Sequence, residues 1–581
     1  MGAYKSSKFW SLAAFLIVAV TTVITWNYAK THDFIVCDME CGETLLSIKA
    51  IDQFVQFGPR FGLLEVLGTE EQPLIYTHSV NIGSLSFVGL RAMGLEGMEY
   101  YIFLPLIAYA IGLYFAYLTA LKVTDSHLSG FITLILFCTT YWGLGAFSMN
   151  ALRAWHLPAF FIVAYFSLNL SGELNQRRFS ANVLGLVLGA LIAFGCGYDF
   201  WVICGFLSAS LIFKLTMNAR EVVTRILVVA VAFSIPFLLR QLHVASVLGL
   251  DFWVQDFLYS LAIKIPYAST IIDLPPLSEV DQWYLDQGVL RAPASATNSL
   301  SQILYTFSHM LTEVTIPRWG WVSIMLVMSV LVCAVIPKFN QTRMSHVAKL
   351  FFVPGIVGVS IGVFVFSPFS LHVYFKHEFP LFAFFVVFAK GLILSELLIS
   401  LKKISSARWR AGILAGASFI LLDSVMNHLH TTANGQYNNF GWTNFVQQHP
   451  SERFLAASYN VTISRELPMT DGFSVDYINP DSVSNILSDP EQLKGYDFLI
   501  YQPIERLVDF DARVPRCTWR DWMTSQFVTV DVTPSGNSCI YGFPLPSEAA
   551  PQLSLTDIER SSYPTVERDD VGIGYVIVDL R

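Results

Sequence analysis

Between residues 11 and 422 the chain alternates long apolar runs with short polar breaks. The runs cover residues 11–24, 101–121, 131–147, 159–170, 183–193, 201–213, 226–239, 321–336, 350–366, 380–398 and 411–422. Several reach or approach the ~20 residues a helix needs to cross a bilayer. A single run of this kind also describes a buried core helix, but a series of about eleven does not. The pattern predicts a polytopic α-helical membrane protein with about 11 transmembrane helices, occupying residues 1–429. Two long interruptions stand out, residues 31–100 and residues 240–320. In the first, residues 44–57 (TLLSIKAIDQFVQF) carry apolar positions at helical spacing, which predicts an amphipathic helix lying on the membrane surface.

After residue 430 the pattern changes. Asn, Asp, Pro and charged residues rise, and apolar runs shrink to strand length at 454–457, 473–478, 498–501, 527–532, 539–543 and 571–578. A helical candidate at 481–487 separates two of them. Residues 430–581 are expected to form a soluble α/β or α+β domain outside the cytoplasm.

Composition agrees with the membrane reading: 54% of residues are hydrophobic and only 14% charged, against ~25% charged in soluble domains. The net charge of −8 matters less than where the cations fall. With Lys5 and Lys8 in the cytoplasm, an odd number of crossings puts every strongly basic short loop on the same side. Those loops hold Lys122, then Arg177 and Arg178, then Lys214, Arg220 and Arg225, then Lys338, Arg343 and Lys349, and finally Lys402, Lys403, Arg408 and Arg410. The positive-inside rule requires this arrangement. It leaves the N-terminus cytoplasmic and the C-terminal domain outside, in the periplasm if the host membrane is a bacterial inner membrane, toward which the short loops lean. The first run lacks a small-x-small cleavage site and reads as an uncleaved signal anchor. Cys138, Cys196, Cys204 and Cys333 fall in apolar runs. Cys37, Cys41, Cys517 and Cys539 fall on the outer side, where a disulfide persists. There is no GxxxxGK[ST], GxGxxG or HExxH, so ATP-driven transport and zinc hydrolysis lack support, and nothing points to nucleic acid.

The candidate chemistry lies at the outer edge. Asp38, Glu40 and Glu43 crowd the stretch after the first crossing, and carboxylates held that close to a bilayer are usually used. Glu43 fits the N-terminal cap of the surface helix beginning at Thr44, while Asp38 and Glu40 are candidate general bases. The stretch Tyr76-Thr77-His78-Ser79-Val80-Asn81 leads from the first loop into a short apolar segment. Arg153 beside His156, Arg240 at the end of a run, and Lys376 beside His377 are cations on the side that short loops normally leave poor in Lys and Arg. At headgroup depth they can hold a phosphate, arginine in bidentate fashion, or simply snorkel to the interface. Asp199, in Gly197-Tyr198-Asp199-Phe200-Trp201, is an aromatic-flanked acid suited to sugar hydroxyls.

The acidic stretch after the first crossing, the Tyr76-Thr77-His78 element closing the first loop (with Ser79 where many relatives carry proline) and the late basic turn with Lys376, His377 and Pro380 resemble the GT-C superfamily of membrane glycosyltransferases. Within it the chain looks most like the branch of protein O-mannosyltransferases and the lipid A aminoarabinose transferase. The resemblance covers residues 1–430 and does not extend to the tail. It implies transfer of a sugar from a polyprenyl-phosphate donor to a glycan, lipid or protein acceptor at the outer face, with inversion. Asp38 or Glu40 would be the catalytic base, and His78, Tyr76, Asn81, Asp199, Arg153, His156, Arg240, Lys376 and His377 would bind substrate. No cofactor is implied. Asp38 and Glu40 are hard oxygen ligands for Mg²⁺ or Mn²⁺, but no second carboxylate cluster accompanies them and a metal is not favoured. Two alternatives stand beside this reading: a transporter or flippase for lipid-linked glycans, and an anchored assembly or sensor protein working through its tail.

Overall fold

The computed structural model describes residues 2–31, 65–68, 73–76, 82, 93, 98–139, 155–171, 176–213, 219–254, 257–258, 316–336, 342–366, 379–401, 405–434, 445, 449, 451–457, 474–478, 493–501, 529–530, 540–541, 565–566 and 576–581. The chain divides into two compact units. One comprises Met1–Asp33 and Phe57–Thr432, the other Phe34–Gln56 and Ala433–Arg581.

The first unit is mostly helical, and the described part of each apolar run falls on a helix. These are α1 (Gly2–Thr31), α2 (Met98–Thr124), α3 (His127–Thr139), α4 (His156–Leu170), α5 (Gln176–Gly195), α6 (Tyr198–Ile212), α7 (Ala219–Leu248) and α8 (Ile316–Val335). Next, α9 (Arg343–Val347) runs through a π-helical turn, Ala348–Phe352, into α10 (Val353–Phe366), followed by α11 (Phe379–Leu401) and α12 (Ala407–Asn434). Among the described residues, four stretches are long and apolar enough to cross a membrane: Leu104–Thr124, Ala219–Leu248, Arg343–Gly362 and Phe384–Leu401. The helices also turn apolar side chains outward. Leu12, Leu184 and Leu242 are 58%, 70% and 67% exposed, an arrangement that lipid accommodates and water does not. A lone antiparallel hairpin, β1 (Glu65–Gly68) with β2 (Pro73–Tyr76), lies in the first loop, where the apolar pattern predicted only a surface helix. That predicted helix, at 44–57, lies outside the described residues.

Aromatic rings fill the interior. Phe137 of α3, Phe160 and Phe161 of α4, Phe351 and Phe352 of the π turn and Phe384 of α11 are all buried. Phe160 meets Phe384 at 5.3 Å and Phe161 meets Phe137 edge-on at 5.4 Å. Where no ring fits, backbones touch. A Cβ on Gly358 would lie 2.6 Å from the Phe206 carbonyl oxygen, and one on Gly362 would lie 2.6 Å from Ile203 Cα. The two glycines, four residues apart on α10, therefore seat that helix directly on α6. Buried hydroxyls pair across helices: Ser167 with Ser208 at 2.8 Å and Ser129 with Ser395 at 2.9 Å.

Cations close the helix ends on one side of the bundle. The Arg343 guanidinium donates to the Thr124 carbonyl through Nε at 2.8 Å and through Nη2, and pairs with Glu396 at 3.2 Å. Arg225 Nη1 donates to the Ile212 carbonyl at 3.3 Å. Thr124 and Ile212 are the last residues of α2 and α6, whose final carbonyls have no helical partner and carry the negative end of the helix dipole. Arg225 lies inside α7 rather than in the loop that hydropathy assigned to it, because α7 begins at Ala219.

The second unit holds a five-stranded mixed sheet ordered β4-β3-β5-β9-β8. Its strands β3 (Arg453–Ala457), β4 (Ser474–Ile478) and β5 (Phe498–Tyr501) are parallel, and β9 (Val576–Asp579) runs antiparallel to β5 and to β8 (Thr565–Val566). A two-stranded pair, β6 (Thr529–Val530) with β7 (Ile540–Tyr541), stands apart from it. Phe454 stacks on Phe498 at 5.5 Å, Phe445 meets Phe498 edge-on at 4.9 Å, and the Arg581 guanidinium covers the Phe498 ring at 4.5 Å. Arg581 also pairs with Asp579 at 2.7 Å and with Glu452 at 3.0 Å.

Gly358→Leu is expected to cost ~1–3 kcal/mol by overpacking and to lower the thermal unfolding midpoint of the purified protein. Gly412→Ala, where an added Cβ meets nothing within 4 Å, should leave the midpoint unchanged. Hydrogen bonding from the Arg581 side chain holds the Asp579 carboxyl below the usual carboxylate range. A depressed folded value means a stabilisation that is present above the unfolded value of ~3.9 and lost as pH falls through the folded one. Exchange protection of β9 amides, corrected for intrinsic rates, should therefore weaken below pH ~4. Asp579→Asn should be less protected at pH 7 and should lose most of that acid dependence.

Candidate functional site

Opposite the arginine-capped end, α4 and α6 both begin. His156 is the first residue of α4 and Tyr198 the first of α6. Gly197 permits the tight passage from α5 into α6 because it adopts φ 130° and ψ 153°, a conformation open to glycine and closed to other residues. Neither N-cap residue, Trp155 or Gly197, provides a side-chain hydrogen bond to its helix. Two helix N-termini with uncapped N–H groups thus open at the same end, each carrying a partial positive charge.

The structure draws several of the sequence-predicted site residues toward these starts. The His156 side chain is buried and meets the Phe200 ring edge-on, centroids 4.3 Å apart. Asp199 is the second residue of α6, between Tyr198 and Phe200, so it sits on a helix rather than in the turn that the apolar pattern assigned to it. Its backbone position near the dipole's positive end suits an acid. Ile82, directly after Asn81, lies against the end of α5, where a Cβ on Gly195 would come within 2.7 Å of Ile82 Cβ. The end of the first loop therefore returns to the α5–α6 turn.

Arg240 requires a correction. Its position at the end of the 226–239 run marked it as a headgroup-level cation where a crossing stops. Instead α7 continues to Leu248, and Arg240 is a buried residue within it. The reason is local. Arg240, Gln241 and His243 lower the hydropathy, but their polar atoms find partners, so the helix need not end. Arg240 Nη1 donates to His243 Nδ1 at 3.3 Å, and Gln241 Nε2 donates to the Tyr198 hydroxyl at 3.2 Å. Trp253 Nε1 donates to Gln241 Oε1 at 2.6 Å. Gln241 thereby ties α6, α7 and the segment 250–254 together, a role that its residue type alone did not reveal.

An aromatic wall runs beside these groups. Trp201 and Phe237 stack at 5.5 Å with an interplanar angle of 8°, Phe194 meets Tyr198 at 5.1 Å, and Trp253 stacks on Phe257 at 5.8 Å. Among the described residues, the buried Trp201 Nε1 has no hydrogen-bond partner, which leaves an indole donor available at the wall. Of the other residues named from sequence, the structure describes one. Tyr76 ends β2, paired in register with Glu65. Asp38, Glu40, Glu43, His78, Asn81, Arg153, Lys376 and His377 lie outside the described residues, as do Cys37, Cys41, Cys517 and Cys539. Cys138, Cys196 and Cys204 are buried in the bundle. No group of three or more His, Cys, Asp or Glu gathers among the described residues in a form that would hold a metal.

Fold and site together define a membrane-type helical bundle with one arginine-capped end and one end where α4 and α6 begin, with His156 against Phe200 and Gln241 of α7 bonded to Tyr198. No protein-family model matches the chain, and no curated protein matches it. Among solved structures it is similar to the oligosaccharyltransferase of Archaeoglobus fulgidus. The apo crystal structure of that protein aligns with a TM-score of 0.48 and 10% identity over 87% of this chain and 71% of that chain. The complex of the same protein with Zn and sulfate aligns with a TM-score of 0.46 and 11% identity, covering 86% and 69%.

If Gln241 is the tie described, Gln241→Leu should accelerate hydrogen–deuterium exchange in residues 250–254 while leaving α4 unchanged. Equal exchange in the two proteins would show that the segment is held by other contacts.

Proposed function

We propose that this chain is a membrane glycosyltransferase that moves a sugar from a polyprenyl-phosphate donor to an acceptor at the outer membrane face. The observation that carries the reading is that α4 and α6 begin at one end of the bundle without a side-chain cap from their N-cap residues, with buried His156 against Phe200 and with Gln241, next to buried Arg240 on α7, bonded to Tyr198. A phosphate is the anion such an end suits best. Helix N-termini supply N–H donors and partial positive charge, and a guanidinium offers paired donors. The wall of Tyr198, Trp201 and Phe237 supplies apolar faces for a sugar or a prenyl chain. The loop-charge pattern puts this end outside, on the side away from nucleotides.

In this reading the acceptor oxygen or nitrogen attacks the anomeric carbon and forms the new glycosidic bond. The bond from that carbon to the phosphate oxygen breaks, and the polyprenyl phosphate leaves with the electron pair. The acceptor proton passes to Asp38 or Glu40, and attack opposite the leaving group inverts the anomeric centre. Arg240 and the helix starts stabilise charge gathering on the departing phosphate, with His156 and Asp199 shaping the site around it.

A second reading has one observation in its favour. Lys390 is buried within the membrane-length stretch of α11, and ionisable residues inside such spans often serve transport. Under that reading the chain is a transporter or flippase for lipid-linked glycans.

Purified protein in liposomes, supplied with polyprenyl-phosphate sugars, separates the two. Transfer to an acceptor is expected, falling ~10²–10⁴-fold in whichever of Asp38→Asn and Glu40→Gln removes the base. Arg240→Gln should reduce kcat ~10²–10³-fold while the thermal midpoint confirms folding. Movement of the intact lipid-linked sugar across the bilayer without transfer would overturn the enzyme reading.

A further inference from the structure

We propose that an anionic two-chain glycerophospholipid docks on the bundle between α8, α11 and α12, at the arginine-capped end. This site lies at the end of the bundle away from the proposed donor and does not depend on that assignment. A cavity of about 420 Å³ opens between the three helices, lined by Leu326, Ser329, Ile393, Leu397, Gly416 and Ile420 among others. That volume falls within the ~300–1,000 Å³ of small-molecule sites. The Ser329 hydroxyl gives its proton to the Met325 carbonyl at 2.7 Å, so it has no donor to spare for an occupant and the rest of the lining is apolar. The cavity can thus take a hydrocarbon chain and little else.

The entrance explains why the occupant is a lipid with a charged head. Trp409, Gly412, Gly416 and Ile420 follow one another at helical spacing along one face of α12. A Cβ on Gly412 would meet nothing within 4 Å, and one on Gly416 would meet only Leu397 Cδ1, at 4.0 Å. The two glycines leave an open slot running from Trp409, itself 70% exposed, down to the cavity. Arg408 and Arg410 flank Trp409, both exposed, in the first turn of the helix. Cations there oppose the helix dipole, so an anion seated over them relieves that repulsion and meets the positive end of the dipole as well. The nearby carboxylate, Glu396, is already paired with Arg343 at 3.2 Å. Gly416 and Ile420 lie six and ten residues beyond Arg410 on α12, or ~9 and ~15 Å along the axis. That is the span of one hydrocarbon leaflet, ~15 Å. A headgroup at Trp409 therefore places its acyl chains in the slot and cavity. Tryptophan at the interface and arginines beside it are how membrane proteins hold anionic lipids on the basic side.

Native mass spectrometry of the full chain in mild detergent, titrated separately with dioleoyl phosphatidylglycerol and dioleoyl phosphatidylcholine, tests the assignment. The phosphatidylglycerol adduct should form at lower concentration and survive greater activation. Arg408→Gln and Arg410→Gln should each weaken it roughly fivefold, since an arginine at a lipid surface contributes about that factor, and together they should erase the preference. Gly412→Leu with Gly416→Leu should fill the slot and abolish the adduct while the thermal midpoint holds. Equal binding of the two lipids to the native chain, or an adduct that persists with both glycines filled, would overturn the proposal. So would displacement of phosphatidylglycerol by an equimolar polyprenyl phosphate, or release of a bound second copy of the chain on filling the slot.

Discussion

The close seating of α10 on α6 is the contact on which the bundle depends. In lipid no hydrophobic force draws apolar helices together, so association rests on close packing and a few interhelical hydrogen bonds. Gly358 and Gly362 let the α10 backbone rest on Ile203, Phe206 and Leu207 of α6 with no side chain between. With that distance set, α6 also packs against α4, α5 and α7. The Ser167–Ser208 pair joins it to α4. Tyr198, Asp199, Phe200 and Trp201, the residues that give the candidate site its aromatic and acidic character, all lie in the first turn of this one helix. The precision of the site is therefore inherited from a packing contact in the body of the bundle.

The two ends of the bundle are built on opposite electrostatic plans. At one end, Arg343 and Arg225 donate to the terminal carbonyls of α2 and α6. There the cations expected in the inner loops complete helix C-termini, which links a topology signal to a structural function. At the other end, α4 and α6 start without side-chain caps, and the cation that belongs there, Arg240, is drawn inside α7 and bonded to His243. The first end is electrostatically closed by the chain itself. The second presents the N-terminal ends of two helix dipoles, which favour negative charge.

What the sequence made legible follows from which forces leave a linear trace. Apolar runs locate the helices because burial in lipid demands contiguous hydrophobicity, and the described part of each run falls on a helix. Strand-length runs in the tail locate strands because a sheet buries short apolar segments against its neighbours, and β8 was missed because Thr565–Val566 stands alone between Pro564 and Glu567. Helix ends were harder to read. The polar triplet Arg240, Gln241 and His243 looks like a terminus because hydropathy scores each residue alone, whereas its hydrogen-bond partners, Tyr198, Trp253 and a neighbour on α7 itself, come into place only with the fold. Arg225 was assigned to a loop for the same reason. The hairpin β1–β2 left no trace because β1 has only two large apolar residues, Val66 and Leu67, between Glu65 and Gly68, and β2 opens on Pro73.

The candidate site was legible as residue types and hidden as an arrangement. Asp199, His156 and Arg240 were named because they are polar where the chain should be apolar. The apolar pattern put His156 and Asp199 in turns at the same outer edge, but it did not show that they lie on the first turns of α4 and α6 or that the His156 ring meets Phe200. Gln241 was missed for the converse reason. It is uncharged and unremarkable in type, yet it holds Tyr198 and Trp253 at once. A group that acts by position carries no signature in composition, so in a membrane bundle the charged residues announce a site while the neutral ones that fix its geometry emerge only from the fold. A charge-changing substitution at Arg240 and a neutral one at Gln241 therefore perturb different things: the first alters the site's potential, the second its alignment.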